Sequence, residues 1–437
     1  MPPVTLVILA DDLTGATDAA LAFTKLGART DVWLERPRTL ADADVAAIDL
    51  DTRTLPPAQA QTRVRAVLHD LPPEVKLVKK IDSTLRGNIA AETEALLAER
   101  ENAIALVVPA HPKNGRVQRG GVLFVDGTPV ADTPFGRDLF APVRSSDVRR
   151  HLPDCGNAVI AAPSLLGGGG ALAREIDSAV RAGARAIAID AETEDDFAAI
   201  AALERGDGRY VWVGSAGLLE ALAPRLLRER LAAASGAFVG SAAAVRPLLF
   251  VIGSLSDMTR LQIARFAENG VTEMIDPRTV LIDEGGSRSK ASTERIENAL
   301  AAGSDVLVAL SSDRVDVEAA LSMGRLHGFD GPTTSRELRE RFVELVAPAL
   351  PKAGTVVLSG ADIARTFLRT VGVEGIRLVG EAVPDVPLAR ALERDLSVVA
   401  KAGGAGTPDT YRAIARAALQ PMARSEALER PRADRGA

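Results

Sequence analysis

A single cysteine, Cys155, stands in 437 residues, which excludes an internal disulfide framework and any metal site built from several thiolates. Histidine is scarce as well: His69, His111, His151 and His327 lie far apart and form no ligand-spaced motif. Aromatic residues make up 3% of the chain, too few for the stacking platforms that hold single-stranded nucleic acid. Neither sign of charge dominates. Lys and Arg total 52 against 58 Asp and Glu, a net charge of −6, the wrong sign for a protein whose affinity comes from neutralising phosphate backbones. No apolar run approaches the ~18–20 residues of a membrane span. The opening Val4–Ala10 stretch is too short for a signal-peptide core, lacks a leading charge and runs into two aspartates. The expectation is a cytoplasmic protein with neither nucleic acid nor membrane as partner.

What is present is a globular composition, 47% hydrophobic and 25% charged, in a chain long enough for two or three domains at roughly 100–200 residues each. Short β-rich runs alternate with Ala/Leu-rich amphipathic segments, the pattern of βαβ units and parallel sheets. The expected fold class is α/β, with two domains, each a mostly parallel sheet flanked by helices, and a cleft between them. One stretch breaks the rhythm: Gly121–Val130 places Asp126-Gly127 between apolar residues and reads as a β-hairpin. Residues 1–231 are expected to form the first domain and 248–421 the second. Residues 232–247, small and ending in Arg246-Pro247, read as a linker, and the charged stretch 422–437 as a frayed tail. A homo-oligomer is compatible with all of this, since an exposed apolar face reads the same as core.

The densest chemistry is at the front, in LVILADDLTGATDAA. A buried strand ends in Asp11-Asp12, turns through Thr14-Gly15 and enters a helix. Ligands of open α/β sheets sit outside the carboxyl ends of strands, so these carboxylates point at the expected site. One could take a proton as general base, and Asp12 is the catalytic candidate. The plainer alternative, a helix cap plus a loop acceptor, accounts for one aspartate more readily than for two. A second cluster, VKKIDSTLRGN, ends a strand in Asp82-Ser83-Thr84 among Lys79, Lys80 and Arg86. Cations beside hydroxyls and a carboxylate suit a small polyhydroxylated anion, because charge-assisted bonds contribute roughly 1.5–3 kcal/mol each. Arg53, after the strand Val45–Leu50, could reach the same cleft. The loop holding His111, Lys113, Asn114 and Arg116 is a weaker signal, equally readable as a Pro/Asn-Gly turn.

Three strand–turn–helix junctions in the second half share one design. Gly253-Ser254 is followed by Ser256 or Asp257 as a helix cap; Ser359-Gly360-Ala361 links a strand to a helix; and Lys401, Gly403, Gly404 and Gly406 follow a strand, with Thr407 expected as a cap and Pro408 as the first helical residue. Small residues allow close backbone approach, and helix N-termini offer unpaired amides to phosphate. Together they suggest a nucleotide cradle. No GxxxxGK[ST] occurs, so it is not a P-loop, and no GxGxxG follows the first strand.

ADDLTGATDAA, DTR, KKIDSTLRGN, PAHPKNGR, VDGTPVADTPFGRD, VGSAGLLEAL and GSLSDMTRLQI, in this order, resemble the four-carbon acid sugar kinases. These enzymes phosphorylate threonate, erythronate or 3-oxo-tetronates on the terminal hydroxyl with ATP. The resemblance runs from about Val4 to about Ala418 and implies a sugar-acid-binding first half and an ATP-binding second half. It implies substrate roles for Asp11, Asp12, Arg53, Lys80, Ile81, Asp82, Ser83 and Arg86. It implies nucleotide roles for Ser254, Ser256, Ser359, Gly360, Ala361, Asp362, Lys401, Gly403 and Gly404, with Mg²⁺ accompanying ATP. The departures lie in the second half: Ser359-Gly360-Ala361-Asp362 where the family usually has Gly-Gly-(Asp/Glu)-Thr, Asp385-Val386-Pro387 for Gly-Val-Pro, and Ala405 for a phenylalanine. Two other classes therefore stand beside the kinase: a sugar-acid sensor with a degenerate nucleotide half, and a metal-dependent sugar-acid lyase or hydrolase.

Overall fold

The computed structural model describes residues 4–418 except 38–39, 41–42, 73–74, 101, 139, 155, 229–243, 283–286 and 312. Most of the expected linker, the expected tail and Cys155 thus lie outside the described residues. The central strands are buried at every position rather than alternating, as strands covered on both faces must be. This holds for β1 (Leu6–Ala10), β3 (Val45–Asp49), β12 (Leu248–Ile252), β15 (Thr355–Ser359) and β18 (Ser397–Lys401). The first half orders its strands β2 (Thr30–Trp33), β3, β1, β4 (Lys76–Lys80), β11 (Tyr210–Gly214), β5 (Ile104–Val108), β10 (Ala186–Ile189) and β9 (Asn157–Ile160), all parallel. The second half runs β13 (Val271–Ile275), β14 (Val306–Leu310), β12, β15 and β18, again parallel.

The expected hairpin is present within a small separate sheet of β6 (Arg116–Arg119), β7 (Val122–Val125) and β8 (Thr128–Pro129). Asp126 and Gly127 both take positive φ, 49° and 80°, as a tight two-residue hairpin turn demands. Among the described residues no helix is long and apolar enough to cross a membrane.

The two halves are not separate sheets. A hairpin that sequence periodicity did not reveal, β16 (Gly375–Val383) and β17 (Val386–Ala391), joins them into one fifteen-stranded sheet. Its β16 edge pairs antiparallel with β2, Ile376 opposite Val32, and its β17 edge pairs antiparallel with β18. Gly380 and register shifts after Leu378 and Glu381 interrupt its alternation, which is why it does not read as a strand pair. Three antiparallel pairings in succession reverse direction, so the parallel strands of the second half run opposite to those of the first.

Helix α1 (Leu13–Lys25) packs against β1, β2 and β3 and also against β16, β17 and β18. Its run of Gly15, Ala16, Ala19, Ala20 and Ala22 permits close approach on several sides. Its last residue, Lys25, reaches Glu381 at 2.7 Å and Asp385 at 3.3 Å. Charge secures the joint too. Arg377 binds Asp31 at 2.7 and 2.8 Å, and Arg365, from the helix Ala361–Thr370, donates to Asp49 at 2.6 Å and to the Leu34 carbonyl. Burial pushes the Asp49 carboxyl up to about 7 even though Arg365 opposes the shift.

Removing Arg365 would leave Asp49 buried without its cation. Arg365→Ala is expected to cost about 3–5 kcal/mol in urea unfolding at pH 8. Because the Asp49 pKa lies above its unfolded value, protonation relieves that cost as pH falls below about 7, so the loss should shrink at pH 5. Arg369→Ala removes only an exposed pair with Glu35 and should cost under about 1 kcal/mol; equal effects from the two variants would contradict this account of the joint.

Candidate active site

Strand register brings the first-half residues together. Ala10, at the end of β1, lies opposite Asp49 on one side and Lys80 on the other, so Asp11-Asp12, Asp51–Arg53 and Ile81–Arg86 leave the sheet side by side. Arg53 is the hub. Its Nε and Nη2 donate to Asp11 at 2.8 and 3.1 Å, its Nη1 donates to Asp12 Oδ2, and Nη2 lies 3.8 Å from Asp82. The other oxygen of Asp12 accepts the Gly15 amide at 2.6 Å, capping α1. Gly87, at φ 94°, lets its loop pass Asp11 and Arg53 so closely that a β-carbon there would sit 3.2 Å from Asp11 Oδ2.

Asp82 accepts from the Thr84 amide and hydroxyl and from Arg86 Nε (2.9 Å) and Nη2 (3.1 Å). Arg86 Nη1 reaches Asp138 at 3.3 Å. Ile81 contributes backbone only: its carbonyl accepts Lys80 Nζ at 2.7 Å while its side chain joins the core. Ser83 is half-buried at the rim. Beneath the loops Lys79 and Glu92 form a fully buried pair at 2.9 Å.

These contacts set the charges. Burial alone would raise all three aspartates. Arg53, Lys79 and Lys80 outweigh it at Asp11, holding that carboxyl below the usual range, and Arg86 with Arg53 holds Asp82 well below. At Asp12 burial and the charge of Asp11 prevail over Arg53, and the pKa is raised. The guanidinium donors of Arg53 and Arg86, expected to meet an anion, are thus largely occupied by carboxylates. Among the described residues Lys80 makes one side-chain hydrogen bond, leaving donors of its ammonium unused. Arg116, at the start of β6, has a buried Nε with no partner among the described residues.

The second half repeats the arrangement. Ile252 lies opposite Ser359, and Ser359 opposite Lys401, so the three junctions converge. Ser256 caps the helix Asp257–Ala267 by accepting the Thr259 amide at 3.1 Å. The Thr259 hydroxyl touches Ser254 Oγ at 2.9 Å and the Gly403 carbonyl at 2.8 Å, and Lys401 Nζ donates to the carbonyls of Ala402 and Gly403 at 2.9 Å each. Ser359 is buried, with its hydroxyl accepting from Tyr411 at 2.8 Å and its carbonyl from the Gly253 amide at 3.1 Å. Gly360 precedes the helix Ala361–Thr370 with φ 106° and no side chain capping it. Half-buried Ala361 and exposed Asp362 open that helix, Asp362 lying 3.5 Å from Arg339, and Gly404 is exposed. The expected Thr407 cap is not made: the last helix starts at Thr410, and Thr407 instead donates its amide to the Thr410 hydroxyl.

The two groups of loops meet on α1. Every residue from Leu6 to Thr24 is buried except Asp18, which is half-exposed. Lys80 from the first half and Lys401 from the second both bear electrostatically on it. Burial pushes Asp18 up to about 7, with Asp12 and Asp385 adding and the two lysines opposing. Burial likewise brings Lys401 down to about 7, opposed by Asp18. A shallow hollow beside Arg53, bordered by Gly87, Asn88 and His151, includes none of Lys80, Asp18 or the second half.

Comparison with known proteins matches residues 6–222 to a sugar-binding N-terminal domain and residues 249–411 to a nucleotide-binding C-terminal domain. A D-threonate kinase of Cupriavidus necator is 35% identical over 397 residues, covering 88% of this chain and 89% of its own. The chain belongs to the four-carbon acid sugar kinase family. Members that it resembles more distantly include a 3-oxo-tetronate kinase of Methylobacterium radiotolerans, 28% identical over 92% of this chain and 96% of that protein. A D-erythronate kinase of Heliobacterium modesticaldum is 26% identical over 92% and 94%. The fold matches a crystal structure from Salmonella typhimurium titled a putative tRNA synthase, with TM-score 0.77, 23% identity and coverage of 94% and 98%. As a member of this kinase family the chain is a phosphotransferase.

In this kinase two side chains join the site that motif reading did not single out. Asp18 has a sequence signal in hindsight: the lone acidic residue within an Ala-rich helix, three residues after Gly15 and so on its face. Arg116 was noticed but not assigned, since a turn explained its loop equally well. His111 packs against Gly217 and Asn114, and burial holds it near 4, neutral at ordinary pH. A methyl at Gly403 would run into Ser254. Gly403→Ala is therefore expected to weaken ATP binding at least about tenfold, near the 1.4 kcal/mol of one decade, in calorimetric titration, while sugar-acid binding stays within about twofold.

Proposed function

We propose that this chain transfers the γ-phosphoryl group of ATP to the terminal hydroxyl of a four-carbon sugar acid of the threonate, erythronate or 3-oxo-tetronate class. The observation that carries this reading is that α1 packs on strands of both halves and its half-buried Asp18 feels the charge of Lys80 from one set of loops and of Lys401 from the other. D-Threonate is the first substrate to try, as the acid named for the relative at 35% identity.

Lys80 and Arg116 hold the cationic charge that protein carboxylates leave available, so they would take the acid's carboxylate and neighbouring hydroxyls. Asp11, Asp12 and Asp82 keep Arg53 and Arg86 in place at the rim with Ser83 and the Ile81 backbone. Asp12, the catalytic candidate from the sequence, would act through the Arg53 contact and the α1 cap that its oxygens hold, positioning the groups around the acceptor hydroxyl. On the other side Ser254, Ser256, the Ser359–Asp362 turn and the Lys401–Gly404 loop would cradle the triphosphate. The uncapped helix start at Ala361 fits such a group, because its first amides and dipole favour phosphate. The same feature speaks against a degenerate nucleotide half. Mg²⁺ would come with the nucleotide, since it binds largely through phosphates and water and needs no protein cage. Phosphoryl transfer asks chiefly for positioning and charge neutralisation, which two facing sets of rigid loops supply.

An ADP-release screen over four-carbon sugar acids of each configuration tests this reading, with turnover expected for at least one acid and none without ATP. Product formed without nucleotide would instead point to the lyase or hydrolase. Lys80→Met should raise KM for the acid about 10- to 100-fold, the worth of a charge-assisted bond, with KM for ATP within about threefold. Asp12→Asn keeps the helix cap and should remain folded, yet lose about 10²-fold or more in turnover through misplacement of the hydroxyl.

A further inference from the structure

We propose that Asp18, the one residue of α1 before Lys25 that is not buried, is the proton acceptor of the phosphoryl transfer from nucleotide at the Lys401 loop to the acid at the Lys80 loop. This rests on the kinase reading above. The acceptor hydroxyl would lose its O–H proton to an Asp18 carboxylate oxygen as its own oxygen bonds to the γ-phosphorus. The bond from that phosphorus to the bridging oxygen breaks, and the electron pair leaves with ADP.

The case begins with occupancy. Asp12 has one oxygen on the Gly15 amide and the other on Arg53, with the Thr14 hydroxyl 3.3 Å away. Asp11 and Asp82 are similarly bound to guanidinium groups. No hydrogen bond or ion pair engages Asp18 among the described residues, although two ammonium groups act on it. Helix geometry then sets its face. Asp18 follows Gly15 by three residues and so shares its face, the side toward which helical side chains lean. An ideal β-carbon at Gly15 would lie 3.2 Å from Lys80 Nζ, which places Lys80 beside that face. From the second half, Lys401 has its ammonium on the carbonyls of the glycine loop, and its charge reaches Asp18. A hydroxyl anchored near Lys80 and a phosphate held near Lys401 would meet at Asp18.

The charged groups around this carboxylate are Lys80 from β4, Asp12 from the cap of its own helix, Asp385 from the β16–β17 turn, Lys401 from β18 and Arg116 from β6. Their balance, with burial, holds Asp18 near 7, the range in which a base is effective at neutral pH.

The test compares wild type, Asp18→Asn and Asp12→Asn for ADP release between pH 5.5 and 9, for sugar-acid binding by calorimetry and for thermal unfolding at pH 5 and 8. Asp18→Asn should lower kcat by about 10²–10⁴-fold, leave the acid's Kd within about fivefold, and lose the fall in kcat that wild type shows below about pH 7. Asp12→Asn should keep that fall. Because the folded pKa of Asp18 exceeds its unfolded value, the stability its protonation provides is lost as pH rises through about 7. Asp18→Asn should therefore raise Tm, and more at pH 8 than at pH 5, opposite to the loss of a structural contact. An active wild type with kcat of Asp18→Asn within about threefold of it would overturn this assignment alone, as would recovery of the variant by excess Mg²⁺, which marks a metal ligand. A wild type inactive on every acid would overturn it together with the kinase reading.

Discussion

Arg53 makes the front of this molecule possible. Two consecutive aspartates at a buried strand end would repel each other and lose hydration together, and removing one partner from such a group is costly. A guanidinium can bind one carboxylate with two donors of its planar fork and still present another to a second. Arg53 does so across Asp11 and Asp12. With its charge balanced, Asp12 remains buried and caps α1, and the direction of α1 follows from that cap. Everything that α1 carries to the junction of the two halves, Asp18 included, depends on this neutralisation.

The placement of the two halves is likewise a matter of hydrogen bonds and paired charge. The β16–β17 hairpin continues one sheet into the other, Arg377 and Arg365 bridge the joint, and α1 packs on strands from both sides. Phosphoryl transfer gains most from holding two reactants in fixed relation, and a joint of this kind holds them through the sheet itself. The half-exposed Asp18 and the buried Lys401, both brought to about 7 by loss of hydration, are destabilising features kept in place by that rigid surround. Such local cost is common where charge must be poised for chemistry.

Much of this was legible in the residues themselves. Unbroken apolar runs announced parallel strands, Asp126-Gly127 announced the hairpin, and charged or glycine-rich stretches at strand ends marked both sets of loops. Local chemistry was enough there, because a run of five apolar residues or a positive-φ turn depends on little beyond its neighbours. Other features were ambiguous for the same reason. Thr407-Pro408 has the form of a helix start, yet Gly406 and Thr410 shape a turn there instead.

The sequence by itself determined the fold class, the kinds of residue at each strand end and the resemblance to the sugar-acid kinases. Only the tertiary structure decided which cations are already bound to carboxylates, that β16 and β17 unite the sheets, and that Lys80 and Lys401, 321 positions apart, act on one aspartate. Strand order and register are long-range choices among many apolar runs of similar character, and a carboxylate's availability depends on what those choices bring beside it. Neither is encoded in spacing along the chain.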